Sequence, residues 1–375
     1  MSKVEVVEVE NAGQLNKFIK FPHKLYKDDP NYVAPLDMER KEFFDKNKNP
    51  FYKTAKTKLF LAMDGKEVVG RIATCVDYQY NDFHDQNIGN FGFFDCPDDY
   101  DIASTLLRVA MITLKKEGAT KMRGPMNFNT NHECGFLVEG FDTPPMVMMT
   151  YNKPYIPKLA EKFGMKKAMD MLALKMHSSD PLSERMERIA LHIQKRSKLT
   201  VRPLNMKDFN NEIKRALDVY NQAWQHNWGF VPMTEDEFKF QGHNLKQVVD
   251  PNVVLFVEHE GKPIAFVLAL PDVNQALKSL KGSLFPLGVL KLLWNTKIRN
   301  KVHNIRIVTF GIIPEFQKKG IDSFLFYHIY KAGGAHGYQE AELSWILESN
   351  EMMLRSAEEM GAVPNKRYRI VEIPL

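Results

Sequence analysis

The residue types in this chain best suited to moving a proton stand close together in its first half. In Gly124-Pro125-Met126-Asn127-Phe128-Asn129-Thr130-Asn131-His132-Glu133-Cys134-Gly135, three Asn, a Thr, a His and a Glu crowd between apolar runs. His132 titrates near neutrality unaided, and burial would push Glu133 toward it, so either could act as a general base, directly or through water. Asn127, Asn129 and Asn131 offer donors for an acceptor substrate or a developing oxyanion. A plainer reading also fits: a turn-rich connector whose Asn side chains satisfy its own backbone. Cys134 lacks a visible His and Asp arrangement that would make it a nucleophile.

A second chemistry is carried by Val308-Thr309-Phe310-Gly311-Ile312-Ile313-Pro314-Glu315-Phe316-Gln317-Lys318-Lys319-Gly320-Ile321-Asp322. It starts as a β-branched strand, turns at Pro314 into a basic loop and closes on Gly320. The apolar period then changes from 2 to about 3.6, with Ile321, Phe324, Leu325, His328 and Ile329 on one helix face. A strand, loop and helix in this order leave aligned N–H groups at the helix start, an anion site suited to a pyrophosphate. Lys318 and Lys319 add charge beside it. An ordinary strand–turn–helix corner would have the same outline. A third candidate is Leu347-Glu348-Ser349-Asn350 at a strand end, where Glu348 supplies a carboxylate and Asn350 is a favoured N-cap.

The spacing Pro314-x-x-Gln317-x-x-Gly320 before a helix resembles the acetyl-CoA loop of the GNAT acyltransferase superfamily, whose usual form is Gln/Arg-x-x-Gly-x-Gly/Ala. Gln317 and Gly320 match, whereas Asp322 stands where that superfamily usually has Gly or Ala. The resemblance implies that Ile312, Ile313, Gln317, Lys318, Lys319, Gly320 and Ile321 hold acetyl-CoA or a longer acyl-CoA. It implies a strand before Glu348 that splays from its neighbour, with the thioester in the gap. Asn350 would then touch the pantetheine arm as well as cap its helix. By the same analogy the acyl group passes directly from thioester to amine, Tyr368 serves as acid for the leaving thiolate, and no metal takes part. Glu133 is the first choice of base, His132 the second and Glu348 the third.

The elements that must position these groups occur twice. A hairpin over residues 58–73 turns at Asp64-Gly65, and a second over 253–270 turns at Glu260-Gly261; such turns between apolar runs are strong hairpin signals. Each hairpin is followed by a strand, a helix, another strand and a helix stopped by glycine. Gly65 and Gly261 lie 196 apart, and Gly164 and Gly361 lie 197 apart, the mark of a duplicated unit. The expected fold is α/β with mixed sheets, in two tandem GNAT-like domains: residues 1–177, a helical connector 178–199, and residues 200–375. Where the second copy has its basic glycine loop, the first has Asp95, Asp98, Asp99 and Asp101, which would repel a pyrophosphate. The second copy is therefore expected to hold the cofactor, and the resemblance to tandem GNAT-like proteins implies that the first shapes the substrate cleft.

Composition narrows the class. With 375 residues, 44% hydrophobic and 26% charged, the chain is globular and long enough for two domains. No apolar run approaches the roughly 18 residues of a membrane span, and Met1-Ser2-Lys3-Val4-Glu5 is no apolar signal segment. Cys75, Cys96 and Cys134 are odd in number and widely spaced, which argues against disulfides or zinc. A net charge of +5 does not imply nucleic acid. Residues 284–301 are an insertion rich in Leu, with Trp294, Lys297, Arg299 and Lys301. Such a segment suits a membrane interface or the mouth of a lipid tunnel, though a cover for the sheet or a homodimer contact would also use it. The expectation is a cytoplasmic N-acyltransferase, peripheral to the inner face of the membrane, that acylates a small-molecule or lipid amine. By analogy the amine is sphingoid-base-like. A non-catalytic acyl-CoA-binding module and a Fem-type aminoacyl transferase are the alternatives.

Overall fold

A computed structural model of the chain describes residues 4–283 and 302–375; the insertion at 284–301 lies outside them. The chain forms two compact units. The first takes the described parts of Met1–Asp170, Ala276–Asn295 and Lys366–Leu375, and the second those of Met171–Gln275 and Thr296–Asn365.

In chain order the first copy runs β1 (Glu5–Glu8), α1 (Ala12–Leu25), α2 (Asp37–Phe43), β2 (Ala55–Asp64), β3 (Glu67–Asp77), α3 (Tyr78–His84), β4 (Ile88–Asp95) and α4 (Tyr100–Lys116). It continues with β5 (Lys121–Gly124), β6 (Met126–Asn127), β7 (Glu133–Cys134), β8 (Phe136–Glu139), α5 (Tyr155–Lys162) and β9 (Lys166–His177). The β2–β3 hairpin turns through Gly65 at φ 59°. In α4, Ile102, Ala103, Leu106, Leu107, Ala110 and Leu114 repeat at helical spacing and are buried on the sheet. Each buried leucine there contributes about 1.5–3 kcal/mol. Gly118, at φ 85°, follows that helix's end.

The second copy runs α6 (Glu184–Arg196), β10 (Leu199–Pro203), α7 (Phe209–Trp224), α8 (Glu235–Leu245), β11 (Val254–His259), β12 (Lys262–Pro271) and α9 (Asn274–Leu277). Then come β13 (Asn304–Ile312), α10 (Ile321–Ala335), β14 (Glu340–Leu347), α11 (Glu351–Glu359) and β15 (Val363–Pro374). The two mixed α/β sheets agree with the expected fold class. The first unit's strands are ordered β1-β2-β3-β4-β5-β15, with β8 also on β15. The second unit's are ordered β9-β14-β13-β12-β11-β10. Within each, one neighbouring pair is parallel: β4 with β5, and β13 with β14.

The compact units do not follow a cut at 177 and 200. The last strand of each copy completes the sheet of the other: residues 171–177 of β9 pair with β14, and β15 pairs with β5 and β8. Ion pairs fix β15 in the first unit. Arg369 grips the Asp170 carboxylate at 2.8 and 2.9 Å, and Glu372 takes Arg123 at 2.9 Å and Lys121 at 2.8 Å. A further segment of the second copy also belongs to the first unit, where Asp37 N–H donates to the Gly282 carbonyl at 2.9 Å.

Candidate active site

In the second unit, the parallel ladder runs from Asn304↔Glu340 to Ile307↔Leu343 and stops there. Beyond that point β13 stays with β12, and β14 stays with β9 through a bulge at Ser344 and Trp345. A gap therefore opens between the parallel strands, on the side that leads to the basic loop and to Glu348. Opposite the gap, a register shift between Leu268 and Ala269 leaves Val308 as an extra residue on β13. Gly311 is required here: a Cβ on it would collide with the Trp224 ring of α7.

The loop is built by its own side chains and by two left-handed residues. Phe316 N–H donates to Ile313 at 3.0 Å, Gln317 N–H to Pro314 at 3.2 Å, and Gln317 Nε2 to the Ile312 carbonyl at 3.0 Å. Lys318 (φ 58°) and Gly320 (φ 79°) then turn the backbone, and Gly320 caps α10 without a side chain. Among the described residues, no hydrogen bond takes the N–H groups of Lys318, Lys319, Gly320, Ile321 or Asp322. Successive free donors at a helix start form a concave anion site. Lys318 and Lys319 are exposed beside it. Asp322, the residue that departs from the expected motif, has its carboxylate engaged by Ser356 Oγ at 3.1 Å. Asn350 caps α11, its Oδ1 accepting from Met353 N–H at 3.2 Å, and Glu348 lies half-buried just past β14.

The first unit has the same corner with its spaces filled. Its ladder ends at Asn90↔Arg123, and the chain after β5 enters the gap. Phe93 N–H donates to Asn127 Oδ1 at 2.8 Å, and Asn90 Nδ2 donates to the Phe128 carbonyl at 3.1 Å. A Cβ on Gly92 would collide with the Met126 carbonyl. At the start of α4, the Asp99 carboxylate already accepts from the N–H groups of Asp101 (2.9 Å) and Ile102 (3.2 Å). Asp95 is bound by Arg71 at 2.7 Å and by the Tyr26 hydroxyl at 2.6 Å.

The polar run of the first copy is a small hairpin, with Met126↔Cys134 and Asn127↔Glu133 as partners. Glu133 accepts from Arg40 Nη2 at 2.5 Å and from Asn127 Nδ2 at 3.3 Å. His132 stands edge-on to the rings of Phe43 and Phe51, and its Nδ1 accepts from Phe128 N–H at 3.3 Å. Burial among these rings brings its pKa down to about 4, against the pull of Glu133. At neutral pH it is an uncharged support for the turn. Asn129 is buried, its amide donating to Asp77 at 2.8 Å while its oxygen accepts from Asn131 N–H at 3.0 Å. Tyr368 is fully buried on β15 opposite Leu137.

The structure thus gathers Glu133, His132, Asn127, Asn129, Asn131 and Tyr368 in the first unit. It gathers the 312–321 loop, Glu348 and Asn350 in the second. Sequence reasoning missed Arg40, which sits on a seven-residue helix too short to show a period, and Trp224, whose only signal was the bare Gly311 it needs.

No protein-family model matches the chain. The chain is 37% identical over 367 residues to Protein YghO of Escherichia coli (strain K12), covering 96% of this chain and 93% of that protein. It is 36% identical over 377 residues to Bacterial ceramide synthase of Caulobacter vibrioides (strain NA1000 / CB15N), covering 98% and 97%. In fold it is similar to a tandem GNAT protein from the clavulanic acid biosynthesis pathway, with a TM-score of 0.56, 9% identity, and coverage of 99% of this chain and 98% of that one. Two GNAT units in tandem, and identity of this order along nearly the full length of both curated relatives, show that the chain belongs to the family of GNAT-fold acyltransferases that includes Bacterial ceramide synthase.

Proposed function

We propose that the protein moves a long acyl group from acyl-CoA to the amine of a sphingoid-base-like lipid. The observation that carries the acyl-CoA half is the row of free N–H donors from Lys318 to Asp322 beside a gap between parallel strands. The name of the ceramide synthase relative supports the lipid half.

In this reading the donors of residues 318–322 hold the pyrophosphate, and Lys318 and Lys319 balance its charge. The edge of β13 left open past Ile307 offers backbone partners to the pantetheine amides. The amine attacks the thioester carbonyl, the C–N bond forms and the C–S bond breaks. The ammonium proton passes to a base, and the thiolate takes a proton as it leaves. Glu133 is the proposed base. Its support is geometric: Arg40 and Asn127 fix the carboxylate in one orientation, and preorganised groups act without reorganising during reaction. His132, with Nδ1 occupied and its pKa near 4, is the weaker choice. Glu348 as a further base and Tyr368 as acid rest on analogy.

Among the described residues, no helix is long and apolar enough to cross a membrane. The test is thiol release and amide formation, followed by mass spectrometry, with palmitoyl-CoA or acetyl-CoA against a long-chain base or a short soluble amine. Amide from the long pair alone is the expected result. Turnover confined to the soluble amine would overturn the lipid acceptor. CoA binding without turnover would make the protein a binding module.

A further inference from the structure

We propose that Arg306 is a positioning residue that ends the β13–β14 ladder and holds open the gap for the thioester; the role of the gap rests on the acyl-CoA reading above. Arg306 and Glu342 are register partners across the parallel pair, one step before its last pair. Arg306 is 2% exposed and Glu342 is 0% exposed. Burying such groups is unfavourable unless hydrogen bonds surround them, so their presence in a sheet interior calls for a cause.

The bonds are present and converge on the point of divergence. Arg306 Nε donates to Ser344 Oγ at 3.0 Å, and its Nη2 donates to the Ser344 carbonyl at 3.2 Å. Ser344 Oγ donates onward to Glu342 Oε1 at 3.0 Å, and Asn365 Nδ2 donates to Glu342 Oε2 at 2.8 Å. The guanidinium lies 5.0 Å from the centre of the Trp345 ring. Ser344 is the first residue of β14 past the ladder. A backbone carbonyl where a ladder stops needs another donor, and the Arg306 side chain supplies it. Closing the strands would strip the guanidinium of that acceptor.

The first unit provides the contrast. The third pair of its ladder is Asn90↔Arg123, as Arg306↔Glu342 is the third pair in the second. There a short amide reaches into the gap and binds the Phe128 carbonyl of the chain that fills it. Here a long guanidinium turns to the departing strand.

The test replaces the network as a whole with apolar groups, Arg306→Met with Glu342→Leu and Ser344→Ala. Replacing a buried ionic network entirely by apolar side chains is often neutral or stabilising. The expected result is a denaturation midpoint at or above that of the wild type. Amide exchange within residues 308–312 slows as the ladder extends, and the dissociation constant for CoA rises by about tenfold or more. A merely structural network would instead lose stability, with exchange faster throughout the unit. Unchanged exchange and unchanged CoA affinity in a folded variant would overturn the proposal. Should the triple variant not fold, Arg306→Lys decides, because it keeps the charge but not the forked donors. Slowed exchange with weakened CoA binding then supports the role, and no change in either removes it. Failure of the wild-type protein to bind CoA would instead strike the acyl-CoA reading, leaving exchange alone to judge whether Arg306 parts the strands.

Discussion

Gly320→Glu, measured beside Gly320→Ala, separates the anion site from the fold that carries it. Gly320 lies at φ 79° and ψ 5°, where any side chain costs roughly 1–2 kcal/mol. Its added Cβ would stand 3.0 Å from Ile189 Cγ2 and 3.1 Å from Ile193 Cδ1, two side-chain tips that must shift slightly. Alanine carries this strain alone. At about 2–4 °C per kcal/mol for a unit of this size, the melting temperature should fall by roughly 2–8 °C. The donors at residues 318–322 keep their places, so CoA affinity should change by less than about threefold. Glutamate adds a carboxylate beside the pyrophosphate. Two like charges about 4 Å apart repel by about 4 kcal/mol at an effective dielectric of about 20, close to a thousandfold in affinity. Salt should narrow the difference between the two variants, whereas strain would not respond to it. Calorimetric titration of CoA at low and high salt, with melts of the same samples, reads both effects. Asp99→Ala in the first unit is the control: it removes a helix cap and costs about 0.5–2 kcal/mol in stability, but leaves CoA affinity alone. Glutamate and alanine variants that bind CoA equally would show that this loop does not hold the pyrophosphate. Equal losses at Gly320 and Asp99 would show that the two copies had been assigned wrongly.

Glu133→Gln should lower turnover by about 10²–10⁴-fold, the usual weight of a general base, with CoA affinity unchanged; full activity across pH with saturating acceptor would remove Glu133 from the mechanism. His132 gives a pH signature with a definite sign. Its folded pKa of about 4 lies below the ordinary 6.5, so the unfolded chain binds the extra proton between those values. Stability should then be complete above about pH 6.5 and fall by up to about 3 kcal/mol as the pH drops to about 4. Hydrogen exchange on peptides of the first unit should show that slope, and His132→Gln should flatten it. For the insertion, the protein should bind anionic liposomes at low salt with a blue shift of Trp294 emission, and Leu290→Ser with Trp294→Ser should weaken both. Absence of binding would leave residues 284–301 as packing or a subunit contact.

What could be read from the sequence was what local chemistry dictates. Asp64-Gly65 and Glu260-Gly261 gave hairpins because Gly65, Glu260 and Gly261 reach positive φ, and Gly118 and Gly361 ended helices for the same reason. The loop from Pro314 to Gly320 was legible because proline, glycine and a period change fall together. The exchange of β9 and β15 was not, since no local pattern says which distant strand will pair with which. Arg306 and Glu342 alternate with apolar neighbours and so read as outward-facing residues of half-buried strands, yet both are buried. The polar run at 124–135 misled in the opposite direction. Its richness in Asn looked like a set of binding groups, but Asn127 and Asn129 are largely spent on Phe93, Glu133, Asp77 and Asn131.

That spending explains how the first unit keeps its fold with its corner filled by its own chain. A gap between parallel strands leaves backbone groups without ladder partners, and such groups are costly unless water, a ligand or more chain meets them. The first unit meets them with its own chain: Asn90 and Asn127 bond across the gap, and Asp99 occupies the helix start that a pyrophosphate would use. The groups at its gap and helix start are met by its own side chains. The second unit leaves its helix start free and spends a buried arginine at the mouth of its gap. Those unmet donors are what a ligand could satisfy, and a ligand that binds only the folded state returns stability by mass action, about 2.7 kcal/mol at a hundred times its dissociation constant. The asymmetry between the copies is therefore thermodynamic as well as chemical. One unit closes its gap with polypeptide, while the other leaves at its helix start the donors that the proposed acyl-CoA would meet.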